Sequence, residues 1–241
     1  MFVIGIESSA LVASVAIASE DRLVAEYTMN NAKTHSQTLL PMLAEIVKAA
    51  GLELKDIDAI AISRGPGSFT GLRIGSATAK GLGLALEKPL IEVPTLDAMA
   101  YNLYGAGNAL VCPIMDARRQ EVYSGVYEFV RSEEEPENLE LRTVEEESAG
   151  PVLRLIERLN AIGQSVIFLG DGVPVYREII AEHMTCPYSL APQHLDRQRA
   201  AAVAALGLKL FKQGICVNAA GHAPTYLRVS QAEREKGMQQ V

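Results

Sequence analysis

The chain has 241 residues, 49% of them hydrophobic, which is enough for one large domain or two small ones with a proper core. Its 22 basic and 29 acidic residues leave a net charge of −7, which argues against this chain gripping nucleic acid by itself through a long basic surface. Cys112, Cys186 and Cys216 are too few and too scattered for a disulfide framework and form no Cys-x-x-Cys pair, a first strand at about Phe2 leaves no room for a leader, and no apolar run reaches membrane-spanning length, so a reducing cytoplasm is the expected compartment.

Phe2 to Ile6, Ala13 to Ala18 and Leu23 to Met29 read as three strands of a meander, turned at Glu7-Ser-Ser9 and Glu20-Asp21. Leu39, Leu40, Leu43, Ile46, Val47 and Ala50 then fall at the spacing of one helical face, predicting a helix over Ser36 to Ala50. Pro41 lies inside it. The helix either starts near Leu40 or bends there, and a bent helix is the expectation.

A strand over Ile57 to Ser63 leads into the breaker cluster Gly65-Pro66-Gly67, after which Ser68 or Thr70 can cap a helix. That helix carries Gly71, Gly75, Ala79 and Gly83 as a smooth stripe, with Ile74, Thr78, Leu82 and Leu86 as a larger one beside it. Glycine in a helix interior costs roughly 0.8–1 kcal/mol against alanine, so Gly71, Gly75, Gly81 and Gly83 forgo on the order of 3–4 kcal/mol that something must offset. Close packing on the chain's own sheet and the approach of another backbone both answer that need. A phosphate-cradling loop is a third answer, but no Gly-Lys-Ser/Thr follows the glycines.

Beyond come a strand at Leu90 to Val93, a helix from Thr95 to Tyr104, and a break at Gly105-Ala-Gly107. Strands near Leu110 to Asp116, Glu121 to Phe129 and Glu140 to Val144 follow, then a helix at Pro151 to Leu159, a strand at Val166 to Gly170, a helix at Val175 to His183, a strand near Tyr188 and a helix at Asp196 to Gln213. The order βββαβαβα thus occurs twice. The fold predicted is α/β and two-lobed, the ribonuclease H-like architecture of the actin, Hsp70 and sugar-kinase superfamily. Residues 1–105 are expected as the N-terminal lobe, joined by part of the 196–213 helix, 106–213 as the C-terminal lobe, and 214–241 as a partly mobile tail. The acidic runs Ser132 to Asn138 and Glu145 to Glu147 read as solvated loops beside an edge strand.

Arg64-Gly-Pro-Gly-Ser-Phe-Thr-Gly-Leu-Arg-Ile-Gly75, Lys80-Gly81, Pro94-Thr-Leu-Asp-Ala-Met-Ala100, Asp116-Ala-Arg-Arg-Gln-Glu-Val-Tyr123 and Pro224-Thr-Tyr-Leu-Arg228 together closely resemble the bacterial TsaB (YeaZ) family, over most of the chain. The resemblance implies a non-catalytic dimerisation subunit of the complex that makes N6-threonylcarbamoyladenosine beside the tRNA anticodon. It implies TsaD as catalytic partner, the ATPase TsaE joining the pair, TsaC or its longer homologue supplying the adenylate, tRNA held through the complex, and a homodimer when the chain is alone. ATP or ADP belongs to the assembled complex.

TsaD is expected to carry a His-x-x-x-His metal pair on its first helix, whereas His35 is followed at that spacing by Leu39. No metal site and no catalytic residue is therefore expected, and His35 reads as a hydrogen-bonding residue at a helix start. In the superfamily, turns at the positions of Glu7-Ser8-Ser9 and Gly170-Asp171-Gly172 hold phosphates; ordinary turns explain them equally. Asp116 to Glu121 reads as a tight turn with internal salt bridges or as a dock for a partner's acids. The partner interface is expected at Leu39, Leu43, Ile46, Gly71, Ile74, Gly75, Thr78, Ala79 and Leu82, so that Gly75→Leu would weaken assembly without unfolding the domain. The rival is an autonomous ATP-dependent phosphotransferase using Glu7 or Asp171; a peptidase lacks any Gly-x-Ser-x-Gly or metal motif.

Overall fold

Continuous apolar runs become strands buried on both faces, as parallel neighbours demand. In the computed structural model, which describes residues 1–31, 34–133 and 135–228, β1 (Phe2–Glu7), β2 (Ala13–Ser19) and β3 (Leu23–Met29) form an antiparallel meander. β4 (Ala59–Gly65) and β5 (Leu90–Pro94) extend it in parallel on the other side of β1, giving the order β3-β2-β1-β4-β5. α1 (His35–Ala49) and α2 (Phe69–Leu86) cover one face, where Ile4, Ile6, Ile60 and Ile62 meet Leu39, Leu43, Ile46 and Ala79. The alternate residues Val3, Ala59, Ala61 and Val93 point the other way, onto Ala202, Val203 and Leu208.

The second sheet repeats the plan. β6 (Leu110–Asp116), β7 (Glu121–Arg131) and β8 (Leu139–Pro151) form its meander, and β9 (Val166–Leu169) and β10 (Tyr188–Leu190) add parallel strands beside β6. Read from β8, its order matches that of the first sheet. α4 (Val152–Ile162) and α5 (Gly172–His183) cover one face. α3 (Thr95–Tyr101) is a wedge between the sheets: Ala98 faces the first core, while Leu96 and Met99 face Val111, Met115 and Tyr127 of the second. α6 (Ala200–Lys212) closes the chain's second half yet lies on the first sheet, close enough that a Cβ on Gly5 would stand 2.8 Å from the Ala204 amide nitrogen. Its alanine-rich face permits that approach. The two-lobed α/β fold of the sugar-kinase type is what the element order predicts.

Several boundaries differ from the sequence reading. Glu145 to Glu147 lie within β8 and not in a loop, on an edge strand bonded only to β7, where Glu146 is exposed and Glu147 turns inward. α1 starts at His35, before Leu40, and continues past Pro41, whose ring is exposed. α3 and α6 are shorter than periodicity suggests. Residues 214–228, grouped above with a tail, follow α2 and the end of β4, where the Thr225 amide donates to the Arg64 carbonyl at 2.7 Å. The polar stretch Gln231 to Val241 lies outside the described residues. Among the described residues, no helix is long and apolar enough to cross a membrane.

Candidate functional site

In the β1–β2 turn, one of the two places where the sequence reading puts a phosphate, most polar groups are engaged within the chain, while Ser9 Oγ and the neighbouring His35 Nδ1 are buried without a partner. Glu7 is 1% exposed; it accepts from the Ser9 amide at 2.6 Å and from the Ser63 hydroxyl. Ser8 donates to the Gly71 carbonyl at 3.0 Å, and the Ser9 carbonyl accepts from the Ser68 amide at 2.6 Å. The N-terminal end of α2 thus fills the turn from within, capped by Ser68 Oγ on the Gly71 amide. Gly67, Gly71 and Gly75 make this fit possible, since a Cβ at each would overlap Ser9 or Ser8. His35 lies alongside with Nε2 at 2.7 Å from the Ala10 carbonyl, so Nε2 carries the proton, as a hydrogen-bonding residue at a helix start should.

The second candidate turn is engaged in the same way. The Gly170 amide donates to the Asp196 carbonyl at 2.8 Å, Asp171 accepts from Gln198 at 3.2 Å, and a Cβ on Gly172 would stand 3.0 Å from the Ile114 carbonyl oxygen. Leu96, Met99 and Met115 join Ala10, beside the first turn, to Leu169, beside the second, in one apolar cluster. The Glu7 and Asp171 carboxyl groups are thus each held by hydrogen bonds inside the chain. Among the described residues, no three His, Cys, Asp or Glu side chains converge as metal ligands would.

Burial raises the Glu7 carboxyl above its ordinary value, against hydrogen bonds from Ser63 and Ser9 that favour the charged form. A carboxyl that is more basic folded than unfolded contributes stability below its unfolded pKa and loses it as the pH rises through the folded one. Glu7→Gln, whose oxygen can still accept from the Ser9 amide while its NH2 donates to the Ser63 hydroxyl, which can itself turn to the Ile6 carbonyl, is expected to flatten the fall in stability above the ordinary carboxylate range and to exceed the wild type at alkaline pH. Urea midpoints at several pH values check this; parallel profiles for the two proteins would remove Glu7 as the source.

The expected partner face lies mostly inside the chain. Leu39, Leu43, Ile46 and Ala79 are 0–4% exposed and belong to the first core. Gly71 and Gly75 are buried against the β1–β2 turn, so the small-residue stripe serves the chain's own packing. Only Ile74, Thr78 and Leu82 are half-exposed. A partner cannot reach the others while the fold is intact.

What α1 and α2 turn outward is a different set. Leu40, Pro41 and Ala44 are exposed on α1; Ala77, Gly81, Leu84 and Ala85 are exposed on α2. Both helices pack on the same face of the first sheet, so these residues share one surface. Ala77, Gly81 and Ala85 recur every fourth residue, a second small stripe that the first obscured. Around Gly81 there is open space: no atom lies within 4 Å of an added Cβ.

The segment after α6 ties the lobes together. His222 is buried between Ser76, at 2.9 Å, and Glu92, at 2.7 Å, while Lys80 donates to the Ala220 and His222 carbonyls. Arg228 then crosses to the β6–β7 turn, donating to the Ala117 carbonyl at 2.6 Å and pairing with Glu121 at 2.7 Å. Arg118, Arg119 and Gln120 in that turn all have left-handed φ, and the Glu121 amide closes it on the Arg118 carbonyl. Of the readings left open for Asp116 to Glu121, the structure contains the tight turn with internal bonds.

The family described as TsaD, tRNA N6-adenosine threonylcarbamoyltransferase, matches residues 22–236. A TsaB of Buchnera aphidicola, subspecies Schizaphis graminum, is 30% identical over 70% of this chain and 78% of its own length. The chain belongs to the TsaB branch of this family. The TsaB of Bacillus subtilis is 28% identical over 97% of this chain and 96% of its own length; like its Buchnera counterpart it is named a tRNA threonylcarbamoyladenosine biosynthesis protein. Among solved structures, YeaZ from Pseudomonas aeruginosa superposes with a TM-score of 0.78 at 30% identity, covering 94% of this chain and 99% of its own. An inorganic polyphosphate/ATP-glucomannokinase from Arthrobacter matches at a TM-score of 0.50 and 11% identity, covering 88% of this chain and 99% of its own, a likeness of fold alone.

Proposed function

We propose that this chain works in tRNA threonylcarbamoyladenosine biosynthesis as a non-catalytic subunit that dimerises with TsaD, with the ATPase TsaE joining the pair. Its docking surface is the outward face of α1 and α2, centred on Leu40, Ala44, Ala77 and Gly81, with Ile74, Thr78 and Leu82 at its margin. The observation that carries this reading is Gly81. A helical glycine forgoes about 1 kcal/mol against alanine, and unlike Gly71, Gly75 and Gly83 this one packs against nothing in its own chain. A partner's backbone coming close to α2 is a reason for it.

The transfer chemistry then belongs to TsaD, and tRNA is held by the complex, consistent with a net charge of −7 here. ATP or ADP acts in the assembly. Alone, the same face pairs two copies of this chain. The filled Glu7–Ser9 and Gly170–Gly172 turns weigh against an autonomous phosphotransferase. The lobes 1–105 and 106–213 act as one support, joined by α3, α6 and the 214–228 segment.

Threonylcarbamoyl transfer to tRNA is the test, with this chain omitted, alone, or combined with TsaD, while mass is followed by light scattering. Transfer only with both, alongside a heterodimer, is expected. Transfer by this chain alone would overturn the accessory reading. A gentler check is Gly81→Ala, expected to stabilise the isolated chain by about 0.8–1 kcal/mol in urea denaturation, because nothing opposes the helix preference.

A further inference from the structure

Between α6 and the ends of β4 and β5 lies a pocket of about 330 Å³. Val93, Pro94, Tyr101, Leu206 and Leu210 form its apolar walls, and Leu141 closes it from the second sheet. Four charged side chains also line it: Arg64 at the end of β4, Glu92 on β5, Asp97 in the first turn of α3 and Lys209 on α6. The docking face of α1 and α2 is on the opposite side of the first sheet.

The charges are incompletely used. Glu92 Oε1 is bonded to His222, and Asp97 Oδ1 accepts from the Tyr127 hydroxyl at 2.8 Å. Arg64 reaches only to 3.7 Å from Glu147, beyond hydrogen-bond distance, and Arg64 Nε and Glu147 Oε2 are both buried without a partner. Lys209 forms no ion pair among the described residues. Each buried donor or acceptor left unmade costs about 1–3 kcal/mol, so a purely structural latch would be expected to close these contacts. Burial also raises the Asp97 carboxyl above its ordinary value, against the Tyr127 hydrogen bond and the charge of Arg64.

The mixture of signs restricts what fits. An anion would lie against Asp97 and Glu92, a simple cation would lie against Arg64 and Lys209, and an uncharged apolar molecule would leave Arg64 Nε without a partner. A zwitterion answers both signs, and the walls ask for an apolar body. We propose that this pocket binds a free amino acid with a large apolar side chain, its carboxylate on Arg64 and Lys209, its ammonium on Asp97 and its side chain against Leu206 and Leu210. Because the walls come from both sheets, the ligand also bridges the lobes. This inference does not depend on the proposed partnership with TsaD.

The test is a titration of the full chain, ¹⁵N-labelled, with L-leucine and with L-phenylalanine, followed by amide shifts at Val93, Leu206 and Leu210. At least one of the two is expected to shift these amides saturably. Isoamylamine, lacking the carboxylate, and 4-methylpentanoate, lacking the ammonium, are expected to bind at least ~10-fold more weakly than L-leucine, or not at all if only L-phenylalanine binds. Asp97→Asn should abolish the shifts; Lys209→Gln, at an exposed position that folding does not need, should weaken them several-fold. No saturable shift with either amino acid, equal shifts with the truncated analogues, or unchanged binding in Lys209→Gln would each overturn the proposal.

Discussion

Gly81→Leu is expected to weaken the heterodimer with TsaD strongly while leaving the isolated chain folded and slightly more stable. Gly81 is exposed in the middle of α2, and no atom stands within 4 Å of an added Cβ, so leucine meets nothing in its own chain. Helix preference favours leucine over glycine by somewhat under ~1 kcal/mol, which sets the sign of the stability change. In the complex the same side chain would stand between α2 and a partner packed onto Ala77, Gly81 and Ala85. Displacing a close helix contact at the centre of an interface is expected to weaken binding by at least ~30-fold, about 2 kcal/mol. Leu40→Glu, on the neighbouring exposed turn of α1, should act in the same direction by placing an unpaired charge in the contact. Light scattering of each variant mixed with TsaD, beside urea denaturation of the variant alone, separates the two effects. A heterodimer of unchanged affinity with both variants would sink the proposed surface.

Much of the fold is legible in the sequence because its signals are local. The apolar run of β1, the capping Ser68 after the Gly-Pro-Gly break and the 3.6-residue period of α1 each need only a few neighbours to be read. Glu145 to Glu147 misled because charge density signals water, whereas on this edge strand only Glu146 is exposed. The candidate interface was less legible for a stronger reason. Periodicity identifies that Leu39, Leu43 and Ile46 share a face, but not whether the surface against it is the chain's own sheet or a partner. The glycine stripe has the same ambiguity. It is resolved only when the Glu7–Ser9 turn is seen seated on Gly71 and Gly75, a contact between segments more than sixty residues apart that no local pattern encodes. Gly81 stood in the same sequence but did not fit the stripe's spacing, and that mismatch was the available clue.

Gly75→Leu is expected to fail in the fold itself and not in assembly, contrary to what the sequence alone suggests. An added Cβ would overlap Ser8 Oγ and stand 3.1 Å from Ile62 Cδ1. Ser8 is fully buried, and its hydroxyl is held at 3.0 Å by the Gly71 carbonyl, so it has no free space into which to turn. Helix preference favours the substitution by under ~1 kcal/mol, but overpacking a filled core costs typically ~1–3 kcal/mol and stranding a buried hydroxyl a further ~1–3 kcal/mol. The destabilising contributions win, and a net loss of about 3 kcal/mol is a large part of the ~5–15 kcal/mol that holds a domain folded. Gly71→Ala tests the same seat with one methyl group, because its Cβ would overlap the Ser8 backbone carbonyl, which moves only if the β1–β2 turn moves. Both variants should lower the urea midpoint of the isolated chain, in the opposite direction to Gly81→Ala on the same helix. A midpoint unchanged by Gly75→Leu would mean that the turn yields easily, and the glycine stripe would then need a reason outside the chain.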